Sequence, residues 1–219
     1  MSYRVKEIFY SLQGEGAHQG RAAVFCRFSR CNLWNGREKD RATAVCNFCD
    51  TDFNGTDGQN GGVFDSADAL AEQVARFWPD TQEGTPWLIC TGGEPLLQLD
   101  PDLLDAFHRK GFDVAIETNG TLPVPRGVDW VCLSPKGRSD IVVTTCDELK
   151  LVFPQPEALP ERFEHISARY RYLSPMADPH WIAGEDPQKQ TNTAKALSYC
   201  LAHPQWRLSL QLHKLLGID

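Results

Sequence analysis

The sequence has 219 residues and a net charge of −7, so we do not expect a general binder of nucleic-acid phosphates, which usually carries a basic face. Hydrophobic residues make up 42% of the chain and charged residues 23%, as in ordinary globular proteins. No apolar run approaches the roughly 18–20 residues that cross a bilayer, and the N-terminal residues lack the layout of a signal peptide. We therefore expect a cytoplasmic protein with a single domain over residues 1–219, whose eight cysteines are metal ligands or buried thiols.

The chain begins with a predicted strand over residues 3–11, which ends in the segment Leu12, Gln13, Gly14, Glu15 and Gly16. Two glycines around a carboxylate permit backbone conformations that are closed to other residues. This segment therefore suits either a plain turn or the close approach of a ligand.

A buried strand is predicted over residues 22–29, with Val24, Cys26 and Phe28 on one face and Arg27 on the other. Cys26 is expected to be a packed core thiol. A buried arginine needs an anionic partner, since its guanidinium is costly to desolvate alone. Arg27 is thus either half of a structural ion pair or a clamp for a substrate carboxylate.

A loop with three cysteines follows this strand directly. Cys46 and Cys49 form a C-x2-C pair, and fourteen residues separate Cys31 from Cys46. An iron–sulfur cluster with three protein ligands keeps one iron free for a small molecule, whereas structural zinc is usually closed by four ligands. A zinc-binding module with a fourth ligand such as His18 or Asp50 is the alternative interpretation.

The rest of the chain alternates predicted strands with turns and helices, which indicates a parallel sheet. Helices are predicted over residues 66–78, 101–111 and 193–203, and strands over residues 86–91, 113–119, 130–133, 148–153, 171–176 and 207–212. The crossovers at residues 120–129 and 137–147 have little room for a helix. We therefore expect an α/β fold that is an incomplete barrel with fewer helices than strands. Residues 54–62 are predicted to form a polar loop, and residues 178–190 an irregular insertion.

Polar motifs follow several predicted strands at the point where each one ends. Besides Cys31, these motifs are residues 92–95 (GGEP), 117–119, 134–136 and 174–176. The carboxyl ends of parallel strands meet at one edge of the sheet, where ligand sites cluster. The five positions together predict one site at that edge.

The three-cysteine loop and the GGEP motif resemble the radical S-adenosylmethionine superfamily, whose usual signature is C-x3-C-x2-C. The fourteen-residue gap departs from that signature. With FYSLQGEG near the start, CDTDF after the gap and SLQLHK near the end, however, the chain is similar to the 7-carboxy-7-deazaguanine synthase family of queuosine biosynthesis. The resemblance covers nearly all of the chain except residues 178–190, and it implies a (β/α)6-type partial barrel with a modified cluster-binding loop at residues 31–51.

The resemblance also implies the reaction and its cofactors. Cys31, Cys46 and Cys49 would hold a [4Fe–4S] cluster whose fourth iron binds S-adenosylmethionine, and Thr51 would bind Mg²⁺, although Asp50 and Asp52 are chemically better ligands. A 5′-deoxyadenosyl radical would start the ring contraction of 6-carboxy-5,6,7,8-tetrahydropterin to 7-carboxy-7-deazaguanine, with loss of ammonia. A one-electron donor such as flavodoxin or ferredoxin and a homodimer are implied, without nucleic acid or membrane. The alternative of a radical activase acting on a protein fits Gln13 and Arg27 less well than a small pterin does.

Particular residues are expected to contact each ligand because of the resemblance. Those expected to contact S-adenosylmethionine are Phe48, Asp50, Gly93, Glu94, Ser134, Pro135, Lys136, Leu173, Ser174, Pro175 and Met176. Those expected to contact the pterin are Leu12, Gln13, Gly14, Glu15, Arg27, Thr91, Glu117, His213 and Asp219. The remaining cysteines, namely Cys26, Cys90, Cys132, Cys146 and Cys200, are predicted to be core thiols.

Overall fold

The computed structural model describes residues 2–80, 83–181 and 184–218. These residues form a nine-stranded sheet in the order β3-β1-β2-β4-β5-β6-β7-β8-β9. The strands are β1 (Tyr3–Leu12), β2 (Ala22–Phe28), β3 (Gly62–Phe64), β4 (Trp87–Gly92), β5 (Asp113–Thr118), β6 (Trp130–Leu133), β7 (Thr145–Phe153), β8 (Ser167–Pro175) and β9 (Arg207–Leu208). β1 pairs antiparallel with β2 and β3, whereas the pairings from β2–β4 to β8–β9 are parallel.

The α-helices of the described chain are α1 (Ala67–Ala75), α2 (Pro101–Arg109), α3 (Pro187–Ala202) and α4 (Leu212–Leu216). Side-chain caps explain where the first three begin. Ser66 accepts from the amide of Ala69, Asp100 accepts from Leu103, and the Asp186 carboxylate accepts from Gln188 and Lys189. The predicted caps and starting points of α1 and α2 are confirmed.

The two crossovers predicted to lack a helix do lack one. Residues 120–129 and 137–147 are all described, and no helix lies in either stretch, although residues 145–147 already belong to β7. Pro123 and Pro125 fall in the first of them, where proline removes backbone donors that a helix needs. The expectation of a partial barrel with fewer helices than strands is therefore confirmed.

The two faces of the sheet bury different sets of side chains. On the outer face, Val24 and Phe28 of β2 share a fully buried cluster with Leu70 of α1 and Phe107 of α2. A second outer cluster lies under α3 and includes Leu149, Leu151, Leu173 and Ala196. The inner face carries its own small apolar group, which includes Phe25 and Trp87. The alternation predicted for β2 is therefore confirmed, and the helices cover one face while the other lines the barrel.

Several predicted boundaries are wrong. β7 and β8 begin at Thr145 and Ser167 rather than at residues 148 and 171, and α1 ends at Ala75 rather than at residue 78. The last strand ends at Leu208 rather than at residue 212, because the amide of Leu212 donates to the carbonyl of Gly14 (2.9 Å) and α4 begins there. Residues 187–190 of the predicted irregular insertion form the first turn of α3, because Asp186 caps the helix and Pro187 suits its first position. The predicted polar loop over residues 54–62 also runs into a strand, β3, which pairs with the start of β1.

No helix in the part of the chain that the structure describes combines the length and the apolar character needed to span a membrane.

Candidate active site

A cavity of about 490 Å³ lies at the carboxyl edge of the parallel strands. Most of the residues that the sequence predicted for the site line this one cavity. They are Leu12, Gln13, Gly14, Glu15, Arg27, Cys31, Cys46, Phe48, Cys49, Asp50, Thr51, Thr91, Gly93, Glu117, Ser134, Lys136, Ser174, Pro175, Met176 and His213. The structure thus brings together the strand-end motifs, the cysteine loop and the segment after β1.

A few predicted site residues are placed elsewhere. Glu94, Pro135 and Leu173 are not among the residues that line the cavity. Leu173 points into the outer core beneath α3 and is fully buried. Asp219 lies outside the described residues. Ligand contacts by these four residues stay predictions.

Glu94 joins the ends of two neighbouring strands. Its carboxylate is fully buried and accepts from the Thr118 hydroxyl (2.8 Å) and from the amides of Asn119 (2.8 Å) and Leu96 (3.1 Å). Burial raises the pKa of this carboxyl, and the three donors oppose that shift. In this arrangement Glu94 ties the end of β4 to the end of β5.

Gly93 lets the cysteine loop begin directly against the end of β4. A Cβ at this position would lie 1.8 Å from the carbonyl oxygen of Arg30, so no larger residue fits without moving the backbone. The same carbonyl accepts from the amide of Glu94 (2.9 Å). Glycine in the GGEP motif therefore sets the position of Cys31 relative to the strand ends.

Cys31, Cys46 and Cys49 line the same cavity, and none of them forms a disulfide. A hydrogen bond between Cys46 and Cys49 lowers the pKa of Cys49 and, together with burial, raises the pKa of Cys46. The backbone amide of Leu33 donates to Cys31 Sγ (3.5 Å). Within the described residues, no group of three metal-binding side chains already has the arrangement of a metal site. The donor set nevertheless fits a cluster with three protein ligands, because three free thiols border one cavity.

The other five cysteines lie away from this cavity's lining. Cys26, Cys90, Cys132 and Cys146 are buried, as expected of core thiols, and burial raises the pKa of each. Cys200 on α3 is only partly buried. Four of the five predicted core thiols are thus confirmed as buried, and the fifth lies at the edge of the second outer cluster.

Glu117 is the centre of a charged network on the inner face of the sheet. Its Oε1 accepts from Gln13 Nε2 (3.1 Å) and contacts Lys150 Nζ (3.3 Å), and its Oε2 accepts from the Thr91 hydroxyl (3.4 Å). Lys150 Nζ also lies 2.6 Å from Glu15 Oε2. Burial by itself would raise the pKa of Glu117, but Lys150 and the Gln13 hydrogen bond lower it overall, which favours an ionised carboxylate.

Lys150 lines the cavity and was missed by sequence reasoning. A signal was present, because Glu148 and Lys150 alternate with Leu149 and Leu151 in a predicted strand. Two charges on one face of a buried strand indicate a polar interior, and that interior is the cavity wall.

Arg27 forms the ion pair that one interpretation predicted, with Nε 2.7 Å from Glu7 Oε1. It also lines the cavity, as the other interpretation required. This ion pair is made through Nε, and the two terminal nitrogens of the guanidinium can also pair with a carboxylate in a bidentate contact. The two interpretations are therefore compatible.

Helix α4 connects the segment after β1 to the cysteine loop. A Cβ at Gly14 would lie 2.0 Å from His213 Nδ1, so α4 packs directly on that glycine. Lys214 Nζ lies 2.5 Å from Asp50 Oδ2. With Gln211, these residues of the C-terminal segment form part of the cavity wall.

Other side chains already contact the carboxylates on either side of Thr51 and the two candidate zinc ligands, His18 and Asp50. Asp52 pairs with Lys6 (2.9 Å), and Asp50 pairs with Lys214. His18 packs between Trp87 and Trp130, with ring centroids at 4.7 and 4.2 Å, near the amino ends of the strands. His18 is thus not placed to complete a site with the three thiols.

Comparison with protein-family models gives no match. Over its full length, however, the chain is similar to curated proteins named 7-carboxy-7-deazaguanine synthase. It is 57% identical over 218 residues to that of Bordetella pertussis, 55% over 221 residues to that of Caulobacter vibrioides and 54% over 218 residues to that of Burkholderia multivorans, with 100% of both chains covered in each case.

A solved structure agrees with this relationship. The crystal structure of QueE from Escherichia coli superimposes with a TM-score of 0.70 and 26% sequence identity, and the match covers 97% of this chain and 95% of that one. Full-length identity to named synthases, together with the shared fold, shows that the chain belongs to the 7-carboxy-7-deazaguanine synthase family.

Proposed function

We propose that the cavity at the carboxyl edge is where this chain carries out the reaction of its family. That reaction is the radical-mediated ring contraction of 6-carboxy-5,6,7,8-tetrahydropterin to 7-carboxy-7-deazaguanine, with loss of ammonia, in queuosine biosynthesis, and the enzyme is a radical S-adenosylmethionine lyase. The observation that carries the proposal is that three free cysteines and the network around Glu117 line the same cavity.

Cys31, Cys46 and Cys49 are the residues proposed to hold the [4Fe–4S] cluster. When bound, the cluster and S-adenosylmethionine supply a carbon-centred radical that abstracts hydrogen from the substrate. Gly93 brings the cysteine loop against β4, because the backbone of Arg30 and Cys31 packs where a side chain at this position would lie. Ser134, Lys136 and Met176 line the cavity from neighbouring strand ends, and Lys136 Nζ donates to the Ser134 carbonyl (2.7 Å). We assign this wall to S-adenosylmethionine.

Thr51 is the residue proposed to bind Mg²⁺. Its side chain borders the cavity, and the flanking carboxylates of Asp50 and Asp52 are held by lysines. A single hydroxyl is a modest ligand, so the ion would depend on substrate oxygens and water for the rest of its coordination.

The substrate is proposed to bind between Arg27 and Glu117. The terminal nitrogens of Arg27 match the geometry of the pterin's carboxylate. Glu117 and Gln13 supply acceptors and donors that match a 2-amino-4-oxopyrimidine edge, whose amino and ring N–H groups can both donate to one ionised carboxylate. Thr91 and His213 border the same space from β4 and α4.

Helix α4 is proposed to shield the reaction from water. Its residues His213 and Lys214 reach the segment after β1 and the cysteine loop, so it bridges the two walls of the cavity mouth. Excluding water protects a reactive intermediate from side reactions.

Anaerobic reconstitution with iron and sulfide, followed by incubation with a reductant, S-adenosylmethionine, Mg²⁺ and 6-carboxytetrahydropterin, tests the proposal. We expect a brown protein, and mass spectrometry should detect 7-carboxy-7-deazaguanine and ammonia. A colourless protein that is active with stoichiometric zinc would contradict the cluster assignment. A reconstituted enzyme that leaves the pterin unchanged would contradict the function.

The named relatives are synthases, which supports neither the zinc module nor the activase acting on a protein. The one-electron donor, such as flavodoxin or ferredoxin, the homodimer and the cytoplasmic location stay predictions.

A further inference from the structure

Lys150 is a buried cation within the proposed substrate site. Its side chain is 7% exposed, and its Nζ contacts Glu15 (2.6 Å) and Glu117 (3.3 Å). A lysine ammonium is strongly hydrated, so burying it is unfavourable unless opposite charges replace the water. Two carboxylates from different parts of the chain, one after β1 and one on β5, provide that replacement.

The same contacts bring two carboxylates close together. Glu15 and Glu117 touch one nitrogen atom, so they lie within the distance at which like charges shift each other's ionisation. With Lys150 between them, their negative charges are offset. Without it, burial and the neighbouring carboxylate of Glu15 would favour a proton on Glu117.

The network also fixes the orientation of Gln13. Its Nε2 donates to Glu117 Oε1 (3.1 Å), and its Oε1 accepts from the amide of Glu15 (3.1 Å). Glu117 Oε1 is therefore engaged by two donors, whereas Oε2 has the longer contact with Thr91 (3.4 Å). Oε2 is the oxygen best placed to accept from a ligand's N–H groups.

We propose that Lys150 is a positioning residue, which offsets the charge of the buried Glu117 carboxylate and holds Glu15 and Glu117 in place so that they accept from the N–H edge of the pterin. The inference rests on the function proposed above for this cavity. Two carboxylates and one ammonium leave one negative charge, which favours a ligand edge rich in N–H donors over an anionic one. Arg27, already paired with Glu7, is left to meet the substrate's carboxylate.

Other titratable groups face this network, and their contributions to the pH dependence of binding must be separated from that of Glu117. Arg27 on β2 and His213 on α4 interact electrostatically with Glu117, and Glu148 and Cys132 lie beside Lys150 on β7 and β6. Burial raises the pKa of both Glu148 and Cys132, so each is less readily ionised than when exposed. A test must compare variants at each pH so that these contributions cancel.

The substitution Lys150→Met tests the inference through binding rather than turnover. The dissociation constant of 6-carboxytetrahydropterin is measured by anaerobic calorimetry for both proteins between about pH 6 and 9. We expect binding by the variant to be about 10- to 100-fold weaker near neutral pH, as for a lost charge-assisted contact. The ratio of the variant's dissociation constant to that of wild type should fall as the pH rises, because Glu117 of the variant then releases its proton. The value of KM should rise more than kcat falls.

Two further variants separate positioning from a purely structural role. Lys150→Arg keeps the charge, so the ratio of its dissociation constant to that of wild type should not change with pH, even if it binds the pterin more weakly. Combining Lys150→Met with Glu15→Gln removes one carboxylate along with the cation, so the ratio of its dissociation constant to that of the single Glu15→Gln variant should change less with pH than the ratio of Lys150→Met to wild type. If Lys150→Met melts below the assay temperature, Lys150→Gln serves the same test with a polar side chain.

If the ratio of the dissociation constants of Lys150→Met and wild type stays constant across this pH range, the inference is overturned, because loss of a purely structural lysine would weaken binding equally at every pH. Failure of the wild-type protein to bind the pterin would instead contradict the proposed function, and the inference with it. The two failures are distinguishable, since the first requires wild-type binding to be intact.

Discussion

The inner face of the barrel differs sharply between the two ends of its strands. At the amino ends, Trp87 and Trp130 enclose His18, and Arg21 lies over the Trp87 ring at 3.8 Å from its centroid. At the carboxyl ends of the same strands the lining is polar and opens into the cavity. Aromatic packing therefore closes one end, and the proposed active site lies at the other.

Single strands show this change within a few residues. The inner positions of β4 run from Trp87 through Ile89 to Thr91, since side chains alternate between faces with a period of two. On β6 they run from Trp130 to Ser134. In barrels of parallel strands the carboxyl end carries catalysis and the amino end carries stability. Substitutions at the two ends should accordingly affect different properties, which three experiments can test.

The largest expected effect is at the carboxyl end, in the cysteine loop. Cys31→Ala should lose the cluster and reduce turnover to background, because two thiolates cannot replace three as protein ligands. Iron and sulfide content after anaerobic reconstitution, with the visible absorption spectrum, measures this. The matched control is Cys146→Ala, which removes a buried thiol from the outer core and should keep its iron. Equal iron content in the two variants would break the proposed distinction between ligand and core cysteines.

The cysteine loop was predictable because its signal is local. The spacing of Cys31, Cys46 and Cys49 is visible in the sequence, and the order of strands and turns predicts the edge at which the loop lies. The contact between Lys150 and Glu15 was not predictable in this way. These residues belong to β7 and to the segment after β1, and no periodic pattern states which strands face each other across a barrel.

The C-terminal segment shows a local pattern that long-range contacts overrode. Alternating apolar residues after Trp206 predict a strand, yet only Arg207 and Leu208 pair with β8. The amide of Leu212 bonds to Gly14 instead, and the chain turns into α4. Glu94 is a similar case, because its position in the motif predicts a ligand contact but cannot show that its carboxylate already has three donors.

An intermediate effect is expected at the amino end. Trp87→Ala should destabilise the protein by about 3–5 kcal/mol, or roughly 6–20 °C in Tm, because a side chain only 4% exposed leaves a cavity among aromatic rings. Its Nε1 has no hydrogen-bond partner among the described residues, so packing accounts for the loss. The value of kcat/KM below the transition should stay within a few-fold of wild type.

The matched control for Trp87 is Trp181→Ala, since Trp181 is 45% exposed. Thermal unfolding followed by circular dichroism should show little change for this variant. A Trp87→Ala protein with normal Tm but greatly reduced kcat/KM would show that the aromatic end takes part in catalysis, which would contradict a division of roles between the two ends.

The smallest expected effect is a pH dependence of stability that His18 introduces at the aromatic end. Burial lowers the pKa of His18 below its ordinary value of 6.5, and Arg21 adds to the shift. The folded protein thus holds His18 neutral, whereas the unfolded chain takes up a proton once the pH falls below about 6.5. The contribution of His18 to stability is therefore complete above that pH and is lost as the pH falls through it.

His18→Phe keeps a ring between Trp87 and Trp130 but cannot bind a proton. As the pH is lowered from about 8 to about 5.5, the Tm of wild type should fall further than that of His18→Phe, so the difference between them shifts in favour of the variant. If the Tm of both proteins fell equally with pH, the folded protein would accept a protonated imidazole at position 18. Nε2 of His18 is buried without a hydrogen-bond partner among the described residues, so a protonated ring would need an acceptor such as water. The amino end would then be wetter and more polar than its packing indicates.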